Sequence, residues 1–355
     1  MVQCTHHCAA RSHAVVTGGL AYEARKAPGG SYQHNIFHQF ESLSCMLQMA
    51  LTHTNGEPDT LLWPYQTLPW SRALAHAVIP QARWVETCCG PTNVRAAWFQ
   101  GRRELCGCFQ TVCPLRYTHF WPGANGSAAH RAIRQAVWQR CGIRDVQPVA
   151  VRLLEREISD GRQLESRPAV VTALRHATAA QHLGQFEEKR MVLAARVNGS
   201  AAHVPGDVLL PTLCEQAAWF ANARVIVLAH GAATTNAIFA SPGTLIIDIV
   251  PYAYRHEPAA PSEYYEALLA GTDVGYRMLA SVLPQTPLGG VRGRTRTKAT
   301  PPSQISKSLA GKSEVACRDD KSCRLAYRDH CCMRLDDAQQ ATLQKIIRDH
   351  LQGGG

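Results

Sequence analysis

The sequence predicts an α/β protein built from two domains. Short apolar runs rich in β-branched residues alternate with stretches of helical periodicity, which is typical of a parallel sheet covered by helices. At 355 residues, the chain exceeds the length at which one hydrophobic core usually stops growing. We therefore predict domains at residues 1–150 and 151–283, a flexible basic linker at 284–316, and a Cys-rich helical segment at 317–355.

A strand–turn–helix–strand unit dominates the second domain. Residues 225–229 form a short apolar run and predict a buried strand, and residues 245–250 predict a second strand that carries one carboxylate, Asp248. Small and polar residues fill the turn and the start of the short helix between them: His230, Gly231, Ala232, Thr234, Thr235 and Asn236.

The start of that short helix is predicted to bind an anion. The first backbone N–H groups of a helix have no partners inside it, and they carry the positive end of the helix dipole. Open parallel sheets bind ligands at the carboxyl ends of their strands, where this turn stands. The alternative is that a tight turn needs small residues, and that His230 is a hydrogen-bonded core histidine.

A further buried strand is predicted at residues 169–174. It would place Arg175 at the same edge of the sheet, where a planar guanidinium group can bind two phosphate oxygens. The alternative is a surface arginine that pairs with Glu187 or Glu188.

The residues on either side of this predicted strand are charged. Residues 142–167 show little periodicity beyond a short apolar run, and we interpret them as the passage between the two domains. Residues 187–197 are predicted to form a helix.

The first domain is predicted to present polar side chains from one helix. Residues 32–51 have apolar side chains at helical spacing. Asn35, His38 and Glu41 follow one another at intervals of three, so they lie along one side of that helix and face either a substrate or water. Further strands are predicted at residues 59–63, 82–86 and 109–112, and helices at 70–78, 128–141 and 336–351.

Two motifs resemble glycosyltransferase family 61. The run from His230 through Gly231, Ala232, Thr235 and Asn236, followed by Pro-Gly and by Asp248 before Val250-Pro251, resembles the family signature. The segment Asn35-Ile-Phe-His38 resembles its asparagine, aromatic and histidine element. The resemblance implies a GT-B fold, in which two Rossmann-like lobes face a cleft, with the acceptor on the first lobe and a nucleotide-sugar on the second.

The resemblance also implies an activity. An inverting, metal-independent enzyme would transfer a xylose, arabinose or N-acetylglucosamine type of sugar from a UDP-sugar to a glycan or protein hydroxyl, with no cofactor. His38 would bind the acceptor or act as general base, because an imidazole with a pKa of about 6.5 can take a hydroxyl proton, and Glu41 is the reserve candidate. The substrate-binding residues would be Asn35, Arg175, Gln216, His230, Gly231, Ala232, Thr234, Thr235, Asn236 and Asp248.

A non-catalytic descendant of the same fold, acting as a binding module, is the alternative. Leu228 stands where the family usually has glycine, and residues 181–184 lack the arginine and asparagine–glutamate pairs that usually follow the arginine corresponding to Arg175.

Charge does not indicate a nucleic-acid partner. The formal net charge is +10, but much of the excess lies within residues 292–312, and such basic runs are more often solvated than specific. No alternation of aromatic and basic residues supports nucleic-acid binding, so we expect no nucleic-acid partner. A nucleic-acid-binding protein that uses this charge and the basic linker is the second alternative.

Cysteine usage indicates an oxidising compartment. The chain has 14 cysteines whose spacing fits no standard zinc pattern, so disulfides are expected and a metal site is not. With the family resemblance, this predicts the lumen of the Golgi or endoplasmic reticulum. No run reaches the roughly 18 apolar residues of a membrane span, so a membrane partner is expected only if an upstream anchor is missing from this chain.

Overall fold

The computed structural model describes most of the second half of the chain and parts of the first. The described ranges are 14–16, 60–63, 68–81, 83–86, 109–112, 124–156, 162–180, 185–191, 208–209, 212–255, 261–283, 314–321 and 332–353, with single positions at 36, 40, 43, 44, 47, 323, 324 and 327. The chain divides into two compact units. The first comprises residues 1–144, 212–214 and 270–272, and the second comprises the rest.

The first unit contains a parallel sheet in the order β3-β2-β1-β4. The three strands predicted between residues 59 and 112 are confirmed. The strands are β1 (Ala14–Val16), β2 (Thr60–Trp63), β3 (Arg83–Glu86) and β4 (Phe109–Val112).

Helices of the first unit pack around Phe40. Ile36, Phe40, Leu43, Ser44 and Leu47 are helical, as predicted from their spacing, and the last four are buried. The Phe40 ring lies 6.1 Å from that of Trp70 and 6.2 Å from that of His130 between ring centroids. Those two residues belong to helices α1 (Pro69–Val78) and α2 (Ala124–Arg140).

The second unit contains a wholly parallel sheet in the order β10-β9-β8-β5-β6-β7. Read from β7, the chain runs 3-2-1-4-5-6, which is the doubly wound order of dinucleotide-binding folds. The direction of winding reverses between β5 and β8. The strands are β5 (Ala150–Arg156), β6 (Gln185–Met191), β7 (Val208–Leu209), β8 (Ala223–Ala229), β9 (Leu245–Val250) and β10 (Gly275–Ala280).

Alternation of side chains gives this sheet two different faces. One face carries Val151, Val227 and Ile249 and packs into the main core with helices α3 (Arg167–Ala180) and α7 (Asp337–Gln352). The other face carries Asp248 and Tyr276, and here α5 (Pro261–Leu269) packs on β10 and on the 3₁₀ helix Ala232–Phe239. Helix α4 (Leu213–Ala221) precedes β8.

Two predictions around residue 170 are wrong, and a third holds only in part. Residues 169–174 belong to helix α3 and not to a strand, because Val170, Leu174 and Thr178 recur every four residues and are all buried. The division between the two units falls after Arg144, within the predicted passage at 142–167, but that range also contains β5, a central strand of the second unit. The predicted helix at 187–197 begins as strand β6, whose charged side chains are paired with those of its neighbours.

The C-terminal segment is part of the second unit. Helix α7 is confirmed, and it begins with a capping box in which Asp336 and Gln339 bond to each other's backbone N–H groups. Leu343 and Ile347 are fully buried in the main core, and the Met333 N–H donates to the Gln163 carbonyl at 2.6 Å. Within the described ranges, no helix is long and apolar enough to cross a membrane.

Two disulfides are present among the described cysteines. They join Cys141 to Cys214 and Cys317 to Cys323, which confirms the expectation of disulfides. Cys332 is buried as well. The second bridge therefore closes a short loop upstream of α7. Of the predicted linker, residues 284–313 lie outside the described residues, and α6 (Glu314–Asp319) begins at its end.

Candidate functional site

The candidate site lies at the carboxyl ends of β5 and β8, where the winding of the sheet reverses. Arg156 is the last residue of β5, and His230 directly follows β8. In doubly wound sheets, ligands bind in the crevice outside the carboxyl ends of the strands at this reversal. Topology therefore marks the same turn that the sequence predicts as an anion site.

A buried hydrogen-bond network holds His230. Its Nδ1 atom lies 2.8 Å from Oδ2 of Asp248, and the Tyr276 hydroxyl donates to the same oxygen at 2.9 Å. Asp248 is fully buried, whereas the His230 side chain keeps 8% of its surface exposed. His230 is thus the hydrogen-bonded histidine of the alternative interpretation, and it also borders the turn. The carboxylate orients the imidazole ring.

Two donors hold the backbone of the turn. Nη1 of Arg156 donates to the His230 carbonyl at 3.3 Å, and the Tyr265 hydroxyl donates to the Gly231 carbonyl at 2.9 Å. The Thr234 N–H donates to that Gly231 carbonyl at 3.0 Å and closes the first turn of the 3₁₀ helix. Both carbonyl groups at the start of this helix are therefore fixed.

Arg156 approaches the backbone of Gly231 closely. That backbone is extended, with φ 170° and ψ −176°, a conformation open to any residue. A Cβ atom placed on it would lie 2.0 Å from Nη1 of Arg156. A side chain at this position would therefore displace the guanidinium group.

The N–H groups of Gly231, Ala232 and Ala233 face no acceptor in the part of the chain that the structure describes. Gly231 is buried, whereas Ala232 and Ala233 are half-buried and reach the protein surface. Unpaired N–H groups at the start of a helix attract negative charge. A guanidinium group beside them adds a full positive charge.

The polar side chains of the 3₁₀ helix that follows the turn are buried. Thr234, Thr235 and Asn236 are fully buried, and the Asn236 amide donates to the Ala233 carbonyl at 3.2 Å. Gln216 is also buried, so it is not an exposed amide.

Arg175 does not stand at a strand end. It lies in the middle of α3, is exposed, and has its guanidinium carbon 5.6 Å from the centre of the Phe186 ring. Its predicted partners bond elsewhere, since Glu187 pairs with Arg152 at 2.9 Å and Glu188 with Arg167 at 2.7 Å. The predicted strand at residues 169–174, which placed Arg175 at the sheet edge, is wrong. Arg156, at the end of β5, occupies that position.

Three residues of the site were not predicted: Arg156, Tyr265 and Tyr276. For Arg156, the short apolar run before it is the signal of a strand that ends in an arginine. Neither tyrosine has such a signal, because each meets the turn only through tertiary packing.

The predicted first-domain residues Asn35, His38 and Glu41 lie outside the described residues, although their neighbours Ile36 and Phe40 are helical. Among the residues described, no cluster of three or more His, Cys, Asp or Glu side chains could hold a metal ion.

Comparison with known proteins identifies the family. A solved structure of the glycotransferase of kitacinnamycin is 10% identical over 96% of both chains, with a TM-score of 0.19, which is too low to carry an argument. No curated protein sequence matches the chain. The model of the Glycosyltransferase 61 family matches residues 32–247, well over half of the 355. The chain is therefore a glycosyltransferase and belongs to glycosyltransferase family 61.

Proposed function

We propose that the chain transfers a sugar from a UDP-sugar to a hydroxyl group of a glycan or glycoprotein, with inversion and without a metal ion. The observation that carries this proposal is the group of unpaired N–H groups at residues 231–233, which adjoin Arg156 at the reversal point of a doubly wound sheet. This arrangement suits a diphosphate.

The reaction needs negative charge to be stabilised on the leaving group. The acceptor oxygen attacks the anomeric carbon, the bond from that carbon to the phosphate oxygen breaks, and the electron pair remains on UDP. The N–H groups and Arg156 would bind the diphosphate as this charge grows, and fixed donors of this kind are worth about 3 kcal/mol each. Metal-ion catalysis would supply the same stabilisation in other transferases.

The acceptor proton needs a base, and His38 is the proposed group, with Glu41 in reserve and Asn35 as an acceptor-binding residue. We take the donor sugar to be of the xylose, arabinose or N-acetylglucosamine type. Family membership and the two disulfides support a place in the Golgi or endoplasmic reticulum lumen.

A screen of UDP-sugar hydrolysis by the purified chain tests the function. With EDTA present, we expect slow release of UDP from one of UDP-xylose, UDP-arabinose and UDP-N-acetylglucosamine, because water replaces a missing acceptor. Calorimetry should show UDP binding under the same conditions. Absence of both hydrolysis and binding at millimolar nucleotide would reject the proposal in favour of a non-catalytic binding module.

Replacing His38 by alanine should separate binding from chemistry. His38→Ala is expected to keep UDP affinity and to lose sugar transfer, because the base acts on the acceptor and not on the donor. His76→Ala, which changes a half-buried histidine of α1, is the control and should leave both quantities unchanged. If His38→Ala transfers sugar as fast as wild type, the general base is Glu41 or another group.

A further inference from the structure

We infer that Tyr265 is a positioning residue of the ligand-binding turn. Its hydroxyl, together with Arg156, holds two successive peptide groups so that their N–H groups are presented to a diphosphate. This inference rests on the proposed function and adds a residue outside the region that the family model matches, which ends at residue 247.

In a trans peptide, the direction of a carbonyl group fixes the direction of the next N–H group. The C=O of one residue and the N–H of the next point in opposite directions, and no cis peptide bond occurs in the described chain. Arg156 binds the His230 carbonyl and thereby sets the direction of the Gly231 N–H. Tyr265 binds the Gly231 carbonyl beside the Thr234 N–H, and these two donors together set the direction of the Ala232 N–H.

The turn needs such external donors because a glycine stands at its centre. Without a Cβ atom, Gly231 has the widest choice of φ and ψ of any residue, so the peptide groups on both sides of it can rotate. Hydrogen bonds to the His230 and Gly231 carbonyl groups restrict this rotation before the ligand binds. The binding energy then need not order the turn.

Tyr265 is suited to this role by its surroundings. It is 4% exposed, and its ring centroid lies 5.9 Å from that of His230 and 6.2 Å from that of Tyr276. Burial, and secondarily the charge of Asp248, raise the pKa of the Tyr265 hydroxyl above its ordinary value. The group therefore stays protonated and remains a donor throughout the working range of pH.

The test compares Tyr265→Phe with Thr244→Val. Tyr265→Phe keeps the ring and removes only the hydroxyl. Thr244→Val is nearly isosteric and removes the hydroxyl that donates to the buried Ala223 carbonyl at 2.7 Å, at the other end of β8. Each variant thus loses one bond to a backbone carbonyl, and we expect similar small decreases in melting temperature.

Calorimetry with UDP is then run well below both melting temperatures. We expect Tyr265→Phe to bind UDP roughly 5- to 10-fold more weakly than wild type, the size of one lost hydrogen bond, and Thr244→Val to bind it normally. The KM for the UDP-sugar should rise in Tyr265→Phe alone.

The possible failures are distinguishable. Equal UDP affinity in wild type and Tyr265→Phe overturns the positioning role and leaves the proposed function standing. Equal weakening in both variants also overturns it, because the effect would then follow stability and not the turn. If wild type binds no UDP, the proposed function fails and the positioning role fails with it.

Discussion

Replacing Arg156 by glutamine is expected to lower kcat/KM for sugar transfer by about 10²- to 10³-fold, the usual cost of removing one preorganised donor to a developing negative charge. The residue acts in two ways. Its Nη1 donates to the His230 carbonyl, and its charge adjoins the N–H groups of residues 231–233. Initial rates with the UDP-sugar measure kcat/KM, and calorimetry with UDP measures the accompanying loss of donor affinity.

Arg175→Gln is the discriminating comparison. This arginine is exposed on α3 and stacks on Phe186, so we expect its replacement to leave transfer within about twofold of wild type, as for most surface substitutions. Arg156→Lys should fall between Arg156→Gln and wild type, because lysine keeps the charge without the planar fork. A large loss in Arg175→Gln with none in Arg156→Gln would place the phosphate site on α3 instead.

The unit around β8 was predictable because its signals are local. Its strands are short, continuous apolar runs, and every residue of β9 is buried, including Asp248. The turn between them contains a glycine and small residues, and a short helix follows the turn, as predicted. It is a 3₁₀ helix, however, and its polar side chains face inward.

The region before it was misread because its strands carry charges. β5 contains Arg152 and Glu155, and β6 is charged through most of its length. Some of these groups form ion pairs across the strands and with α3: Arg152 pairs with Glu187, and Arg167 bonds to Glu155 at 3.0 Å. A charged residue considered alone predicts a solvent-exposed segment. Ion pairs with residues on neighbouring elements allow these charged residues to lie in a central strand.

The tyrosines could not have been predicted from any local pattern. Tyr265 is 34 residues from Gly231, and Tyr276 is 28 from Asp248. The order of the strands brings β10 next to β9, and the packing of α5 brings Tyr265 over the turn. Only the tertiary arrangement shows that the carbonyl groups of His230 and Gly231 accept hydrogen bonds from residues outside the turn.

Replacing Asp248 by alanine is expected to lower the free energy of unfolding by about 2–5 kcal/mol. One carboxylate oxygen accepts hydrogen bonds from both His230 and Tyr276, so its removal leaves two buried donors without this acceptor. Each buried donor without a partner costs about 1–3 kcal/mol. Urea denaturation with linear extrapolation measures the change.

Asp349→Ala is the matched control. That carboxylate is 54% exposed and pairs with Lys345 one turn earlier in α7, so its loss should cost no more than about 0.5 kcal/mol. A change of similar size in Asp248→Ala would contradict the network as a source of stability.

Asparagine at position 248 distinguishes the loss of an acceptor from the loss of a charge. Its amide oxygen can still accept both hydrogen bonds, but its NH₂ group would then take the place of Oδ1, a buried atom with no hydrogen-bond partner among the described residues. Asp248→Asn should therefore cost about 1–3 kcal/mol, less than alanine. If asparagine is as damaging as alanine, the charge of Asp248 matters more to the His230 turn than its geometry does.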